Sequence, residues 1–212
     1  MVVSGTSAPA GNVAGLILAG GRGRRMGSID KPFAPLGGRR MIEHVIGRAG
    51  RQVGPLAISA AGDAARFGVF GLPVLADPVG LEAYSGPLAG ILAGLEWAAA
   101  RAAPGAEALA VFPTDTPFFP EDFVERARAA LADGAEVAMA ASGGRLHPTA
   151  AVWSAGLGDR LRRLLVEEGL RRADRVADHF RAARVDYAAQ PFDPFFNINT
   201  PEDLAAAERL FR

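Results

Sequence analysis

Short apolar runs that alternate with segments of helical pattern restrict the fold of this chain more than any other feature. The runs at residues 13–19 and 108–112 contain no charged or polar side chain. Such uninterrupted runs are typical of strands that are covered on both faces. Segment 41–51 repeats apolar residues at the spacing of a helix face, and segment 87–102 has proline at its first turn and a Pro-Gly pair after its end. We therefore predict an α/β fold, a three-layer α/β/α sandwich with a mostly parallel sheet.

The remaining elements follow from the same signals. The threonine, proline and aspartate within residues 200–203 form an N-cap, an N1 proline and a capping-box acid, which predict a last helix that extends to Phe211. No repeat, linker or change of composition divides the chain, so we expect one domain over residues 13–212, preceded by a loose tail at residues 1–12. Further strands are predicted at 55–59, 72–76, 136–140 and 149–153, and further helices at 121–132, 159–168 and 175–181.

The composition excludes several classes of function. The 212-residue chain has 23 basic and 23 acidic residues, and this balance argues against a nucleic-acid-coating protein, which must neutralise many phosphates. The absence of cysteine excludes disulfides, thiolate metal sites and a cysteine nucleophile, and it fits the cytoplasm, where we expect the protein. No apolar run approaches the roughly 18 residues that cross a bilayer, so we expect no membrane association.

A glycine- and arginine-rich loop follows the first predicted strand. Residues 18–27 include Gly20, Gly21 and Arg25. Glycines let backbone N–H groups approach phosphate oxygens, and arginines add charged donors for the same oxygens. The loop matches neither G-x-G-x-x-G nor G-x-x-x-x-G-K-[ST]. An ordinary turn with solvated arginines is the alternative, but Lys31, the only lysine of the chain, follows the loop and favours a phosphate site.

Two acidic side chains also follow predicted strands. Asp77 comes directly after strand 72–76, and Asp115 follows strand 108–112 between two prolines. Ligands of open α/β sheets bind at the carboxyl ends of the strands, which is also where the glycine-rich loop begins. Aspartate is common in turns as well, so a capping role is the alternative for Asp115. The coincidence of loop and acid at one edge predicts a ligand site there.

The loop and the later motifs resemble those of a known family. Residues 18–31 contain L-A-G-G, R-M-G and D-K at the spacing of L-A-G-G-x-x-x-R-M-G-x-x-D-K. This is the signature of the molybdenum cofactor guanylyltransferases, the MobA family of nucleotidyltransferases. Asp77 and residues 86–90 resemble the family's D…G-P-L-A-G pattern, and residues 113–117 resemble its P-C-D-T-P. The resemblance covers nearly the whole chain after the tail and implies a Rossmann-like nucleotidyltransferase fold.

The resemblance implies a reaction and a set of site residues. GMP would pass from GTP to the terminal phosphate of molybdopterin, with release of pyrophosphate and formation of the guanine dinucleotide cofactor. Lys31 and Arg25 would stabilise the triphosphate, and Asp115 would hold Mg²⁺. The implied catalytic residues are Arg25, Lys31 and Asp115; the nucleotide-binding residues are Leu18, Ala19, Gly20, Gly21, Lys31, Ser59, Asp77 and Asp115; the metal ligand is Asp115; and Asn197 and Asn199 lie on the acceptor or metal side.

The match is incomplete at a few positions. Thr114 stands where the family more often has cysteine, and Ser59 stands where a nucleotide-contacting asparagine is expected. Residues 197–204 resemble the family's N-x-N-T-P-E-D-L, and an extended backbone would present both asparagines on one face, although turn formation is an alternative role. His147 begins an H-P pair shared with the family. A lone histidine is more often structural, so we leave it out of the site.

Other functions stay open at this point. A related nucleotidyltransferase could use CTP or another phosphorylated acceptor, and a degenerate relative could be a nucleotide-binding adaptor that delivers cofactor without catalysis. A dinucleotide-dependent dehydrogenase is disfavoured, because its glycine fingerprint is absent. The partners implied by the resemblance are GTP, molybdopterin, and other proteins of cofactor biosynthesis or molybdoenzyme maturation, with no nucleic acid and no membrane.

Overall fold

The structure, a computed structural model, describes residues 12–20, 30–60, 62–81, 86–102 and 105–211. Most of the predicted tail therefore lies outside the described residues. Two of the predicted site residues, Gly21 and Arg25, also lie outside them. No helix in these ranges has both the length and the apolar character needed to span a bilayer.

The described chain alternates strands and helices as the apolar pattern predicts. The strands are β1 (Val13–Leu18), β2 (Pro35–Leu36), β3 (Arg39–Arg40), β4 (Leu56–Ser59), β5 (Val74–Leu75), β6 (Ala108–Pro113), β7 (Val137–Ser142), β8 (Arg145–Ser154) and β9 (Ala182–Tyr187). The helices are α1 (Met41–Ala49), α2 (Pro87–Trp97), α3 (Phe123–Ala132), α4 (Gly158–Val166) and α5 (Pro201–Glu208), and short 3₁₀ turns include Lys31–Phe33, Ala65–Phe70 and Ala173–Asp178.

Seven strands form one mostly parallel sheet in the order β5-β4-β1-β6-β8-β7-β9, and β2 pairs with β3 in a separate ribbon. Only β8 is antiparallel to its neighbours within the seven-stranded sheet. It follows β7 through Gly143 and Gly144, whose φ angles of 53° and 80° are those that a two-residue hairpin turn requires. The α/β class and the mostly parallel sheet are confirmed.

Alternate residues of β1 enter two different cores, which explains why its sequence is apolar throughout. Ile17 belongs to a cluster with residues of α1 and α3 on one face of the sheet. Leu16 belongs to a cluster with residues of α2 and α4 on the other face. Helices therefore cover both faces, and the predicted α/β/α sandwich is confirmed.

A third and smaller core matters for the site. Ala34, Leu36 and Met41, which follow the turn at Lys31, are buried against Ile198 and Ala207 near the end of the chain. We call these five residues the satellite cluster. They hold two segments together that are far apart in the sequence.

Several predicted elements differ from the observed ones. The last helix, expected to extend to Phe211, is α-helical to Glu208 and 3₁₀ from Arg209 to Phe211. The helix expected at residues 87–102 is α-helical only to Trp97 and continues as a π-helical turn. The helix expected at residues 175–181 is a 3₁₀ turn that ends at Asp178 and leads into β9, a strand that the apolar pattern did not indicate. Strand β8 begins at Arg145 rather than at residue 149, because pairing with β7 across the hairpin turn outweighs the polar character of its first residues.

Candidate active site

The carboxyl ends of four parallel strands lie at one level of the sheet. Leu18 at the end of β1 is in register with Ser59 of β4 and with Pro113 of β6. Ser59 is in turn in register with Leu75 of β5. The residues that follow these strands therefore emerge at the same edge, which is where the predicted site residues Ala19, Gly20, Asp77 and Asp115 lie.

Hydrogen bonds between the strand ends fix the floor of this edge. The backbone N–H of Ala19 donates to the carbonyl of Ser59 at 2.9 Å. Thr114 donates twice to the carbonyl of Leu18, from its backbone N–H at 3.2 Å and from its Oγ1 at 2.9 Å. Thr114 stands where the resemblance expects cysteine. Its hydroxyl links the loop after β6 to the end of β1.

Lys31 lies at the centre of the site. Its Nζ donates to Oδ2 of Asp115 at 2.8 Å and to Oδ1 of Asn199 at 2.6 Å. The side chains of Lys31 and Asp115 are 16% and 26% exposed, so the ion pair is screened by water less than a surface pair would be. The structure therefore brings together three of the predicted site residues, which the sequence separates by up to 168 positions.

The segment that carries Asn199 is held in place from both sides. The backbone N–H of Ile198 donates to the carbonyl of Asp115 at 2.8 Å, and the Ile198 side chain is buried in the satellite cluster. Oδ2 of Asp203 accepts the backbone N–H groups of Asn199 and Thr200, each at 2.9 Å, and Thr200 Oγ1 accepts that of Asp203. This is the capping box that the sequence predicts at the start of α5.

An ion pair that sequence reasoning missed steadies the residue before Lys31. Arg66, in the 3₁₀ turn after β4, donates from a terminal guanidinium nitrogen to Oδ2 of Asp30. Its guanidinium also lies over the rings of Phe67 and Phe33, at 4.7 and 5.7 Å from their centroids. Asp30 and Arg66 are 36 positions apart, and no motif in the sequence pairs them.

Ser59 is almost buried beneath the edge. Its side chain is covered because α2 passes very close to β4 at Gly90. A Cβ atom on Gly90 would collide with Ser59 Oγ and would lie 3.0 Å from Cδ2 of Leu18. The G-P-L-A-G motif therefore ends in glycine here because the first turns of α2 pack against the floor of the site.

Replacement of Gly90 with alanine is expected to lower the free energy of unfolding by about 1–3 kcal/mol, because the added methyl overpacks Ser59 and Leu18. Gly47 in α1 provides a matched control, since a Cβ there would meet no atom within 4 Å. Gly47→Ala should raise the free energy of unfolding by about 0.5–1 kcal/mol through helix propensity alone. Chemical denaturation of the two variants measures both effects, and equal stabilisation by both changes would contradict the close packing at Gly90.

The other predicted residues differ in their exposure. Asp77 follows β5 and is partly buried, Gly20 is exposed, and Leu18 and Ala19 are buried at the end of β1. Asn197 is partly buried two positions before Asn199. Within the described ranges, no group of three or more His, Cys, Asp or Glu side chains could hold a metal ion.

Comparison with known proteins identifies the family. A family model described as the MobA-like NTP transferase domain matches residues 15–184. A molybdenum cofactor guanylyltransferase of Rhodopseudomonas palustris is 49% identical over 196 residues, which is 92% of this chain and 92% of that protein. The chain belongs to the molybdenum cofactor guanylyltransferase family.

One further relative agrees with this family in sequence, and one solved structure agrees with the fold. A molybdenum cofactor guanylyltransferase of a Bradyrhizobium species is 46% identical over 206 residues, or 97% of this chain and 96% of that protein. The crystal structure of molybdopterin-guanine dinucleotide biosynthesis protein A from Archaeoglobus fulgidus superposes with a TM-score of 0.69 at 23% identity, covering 93% of this chain and 97% of that one. The nucleotidyltransferase fold is therefore confirmed.

Proposed function

We propose that this protein transfers GMP from GTP to the terminal phosphate of molybdopterin, releasing pyrophosphate and forming the guanine dinucleotide cofactor. The observation that carries the proposal is the convergence of Lys31, Asp115 and Asn199 at the carboxyl edge of the sheet. The relatives named as molybdenum cofactor guanylyltransferases cover nearly the whole chain and support the choice of substrates.

The reaction needs positioning and neutralisation of charge more than it needs a base. An oxygen of the acceptor phosphate attacks the α-phosphorus of GTP, and the bond from that phosphorus to the oxygen bridging it to the β-phosphorus breaks. The acceptor oxygen is already ionised at neutral pH, so no side chain has to remove a proton from it. Lys31 is suited to the developing charge, because its ammonium group has three N–H donors and is fixed by Asp115 and Asn199.

The described residues fit a site for Mg²⁺ shared with the nucleotide. Mg²⁺ is commonly bound by one or two carboxylates together with substrate phosphates and water. Asp115 supplies such a carboxylate at the strand end. The amide oxygen of Asn199 is close to it, because both oxygens accept from the Lys31 ammonium group. Bound there, Mg²⁺ would neutralise charge on the phosphate oxygens. Lys31 would supply a second positive charge beside the same phosphate oxygens.

The nucleoside side of the proposal rests on Asp77 and the end of β1. Asp77 lies at the same edge of the sheet, beyond Ser59. Ser59 is only 4% exposed, so it has little surface that a nucleotide could contact. We therefore assign the choice of base to the surroundings of Asp77 and to the glycine-rich loop rather than to the Ser59 hydroxyl.

Transfer assays with each labelled nucleoside triphosphate test the proposal. With purified protein, molybdopterin and Mg²⁺, we expect GMP incorporation to exceed CMP incorporation by at least about 10²-fold. A site that hydrogen-bonds one base discriminates against another because its own polar groups are then left unpaired. Incorporation from CTP but not from GTP would replace guanylyl transfer with the cytidylyl alternative. The absence of any magnesium-dependent turnover would instead support the adaptor.

Cytoplasmic localisation and contacts with other proteins of the cofactor pathway stay predictions. The first is motivated by the absence of cysteine, and the second by the need to receive and hand on a large cofactor. Co-purification of tagged protein from cells that are making molybdoenzymes would test the second prediction.

A further inference from the structure

A second polar cluster lies at the carboxyl edge of the sheet, outside the residues assigned above. Ser142 is the last residue of β7, His147 lies near the start of β8, and Asp193 lies in the loop after β9. Ser142 Oγ is 2.7 Å from Nε2 of His147 and 2.6 Å from Oδ1 of Asp193. Ser142 and His147 are 1% and 7% exposed, so both polar groups depend on these contacts.

The hydrogen bonds among these three side chains can run in only one direction. The carboxylate of Asp193 only accepts, so the single proton of the Ser142 hydroxyl must be donated to it. Nε2 of His147 must then donate to Ser142 Oγ, which fixes the neutral ring as its Nε2–H tautomer. Burial lowers the pKa of His147 and outweighs the opposing effect of Asp193, while Arg145 lowers it further. The result is a chain of hydrogen bonds from His147 through Ser142 to Asp193.

A break in the regular pairing of the sheet brings His147 into this chain. The register of β7 with β8 changes from Met139↔Ala151 to Ala140↔His147. Such irregularities redirect side chains near the ends of strands. Without the break, the register set by Met139 and Ala151 would continue, and Ala140 would not pair with His147. The position of the imidazole is therefore built into the sheet.

Asp193 connects this chain to the proposed active site. Its Oδ1 also accepts the backbone N–H of Phe195 at 2.9 Å. The ring of Phe195 is buried and stacks on the imidazole of His147, with centroids 5.0 Å apart and planes 22° apart. Three residues further on, the N–H of Ile198 donates to the carbonyl of Asp115, and Asn199 then accepts from Lys31.

The segment 193–199 is thus anchored at two points, and Asn197 lies between them. The first anchor is the polar cluster with the Phe195 ring. The second is at residues 198–199, where the chain bonds to Asp115 and Lys31 and the Asn199 N–H donates to Asp203. Because Lys31 keeps its own ion pair with Asp115, loss of the first anchor would shift the two asparagines more than it would shift the triphosphate-binding groups.

We propose that Ser142, His147 and Asp193 are positioning residues that set the location of Asn197 and Asn199 for the acceptor substrate. This inference rests on the proposed function, since it assigns the asparagines to the acceptor half of the reaction. A purely structural cluster would stabilise the fold and would not distinguish between the two substrates.

Ser142→Ala removes the middle of the chain with little change in volume. We expect kcat/KM for molybdopterin to fall by about 10- to 100-fold, as is typical when a buried partner that orients a binding group is lost, while KM for GTP stays unchanged. Ser142→Thr keeps the hydroxyl and should restore most of the activity. Steady-state kinetics with each substrate varied in turn, together with thermal unfolding, measure these effects.

Gln52 provides the matched control. It is 7% exposed, donates to the carbonyl of Pro120 and accepts the N–H of Val124 near the opposite, amino edge of the sheet. Gln52→Met should lower stability and leave both kinetic constants intact. Equal losses for GTP and acceptor in Ser142→Ala, or unaltered transfer by that variant, would overturn the positioning role. Absence of transfer by the unaltered protein would contradict the proposed function itself.

Discussion

Replacement of Lys31 with methionine is expected to lower kcat for GMP transfer by about 10²- to 10³-fold, the usual cost of removing a fixed donor from developing charge. Methionine keeps the length and the apolar stem of the lysine but loses the ammonium that joins Asp115 and Asn199. The Asp115 carboxylate also loses its ammonium partner, so less positive charge faces the triphosphate. Single-turnover measurements at saturating GTP isolate the chemical step.

Arg51→Met is the appropriate control for this change. It removes one positive charge from an exposed side chain that pairs with Glu121 at the far edge of the sheet, and it should leave kcat as it is. If Lys31→Met retained the turnover of the unaltered protein, the lysine would be only a counter-ion of Asp115, and charge stabilisation would have to come from elsewhere.

Replacement of Asp115 with asparagine should also reduce kcat by about 10²- to 10³-fold and should raise the Mg²⁺ concentration needed for half-maximal rate. The amide keeps the shape of the side chain and an acceptor for Lys31, but its oxygen carries no full charge to attract a divalent cation. A titration of rate against Mg²⁺ at fixed GTP measures the shift.

Asp122→Asn is the matched control, because that carboxylate is 53% exposed at the start of α3. It should leave the Mg²⁺ dependence unchanged. If Asp115→Asn and the unaltered protein reached half-maximal rate at the same Mg²⁺ concentration, Asp115 would be excluded as a metal ligand. If neither protein turned over, the adaptor would be favoured instead.

The sequence predicted the strands with two buried faces well and the exposed or polar ones poorly. The run that became β1 is apolar at every position because it contributes to both cores. In β9, by contrast, only Val185 is buried, and Arg184 and Asp186 pair with each other in solvent. An edge strand of this kind has no periodic apolar signal, so the sequence does not predict it, and the helix expected just before it, at residues 175–181, is a 3₁₀ turn.

The sequence predicts the parts of the candidate site that directly follow strands. It does not predict the contacts between segments that are far apart in the chain. Asp115 could be placed at the carboxyl edge because it directly follows an apolar strand. The sequence predicts the capping box beside Asn199, but the contact of Lys31 with Asn199 also depends on the satellite cluster, which no local pattern reveals. The same holds for His147, whose role depends on a shift of register and on a loop more than forty positions further along.

The bond between Lys31 and Asn199 spans 168 positions, and this has a consequence for how the protein matures. On the ribosome the N-terminal part of a chain emerges first, and closing a long loop costs more entropy than closing a short one. The strands that bear the glycine-rich loop and Asp115 can assemble while Asn199 has yet to be translated. Lys31 can therefore acquire its final neighbours only after residue 199 has been translated, and a nascent chain cannot present this arrangement before then.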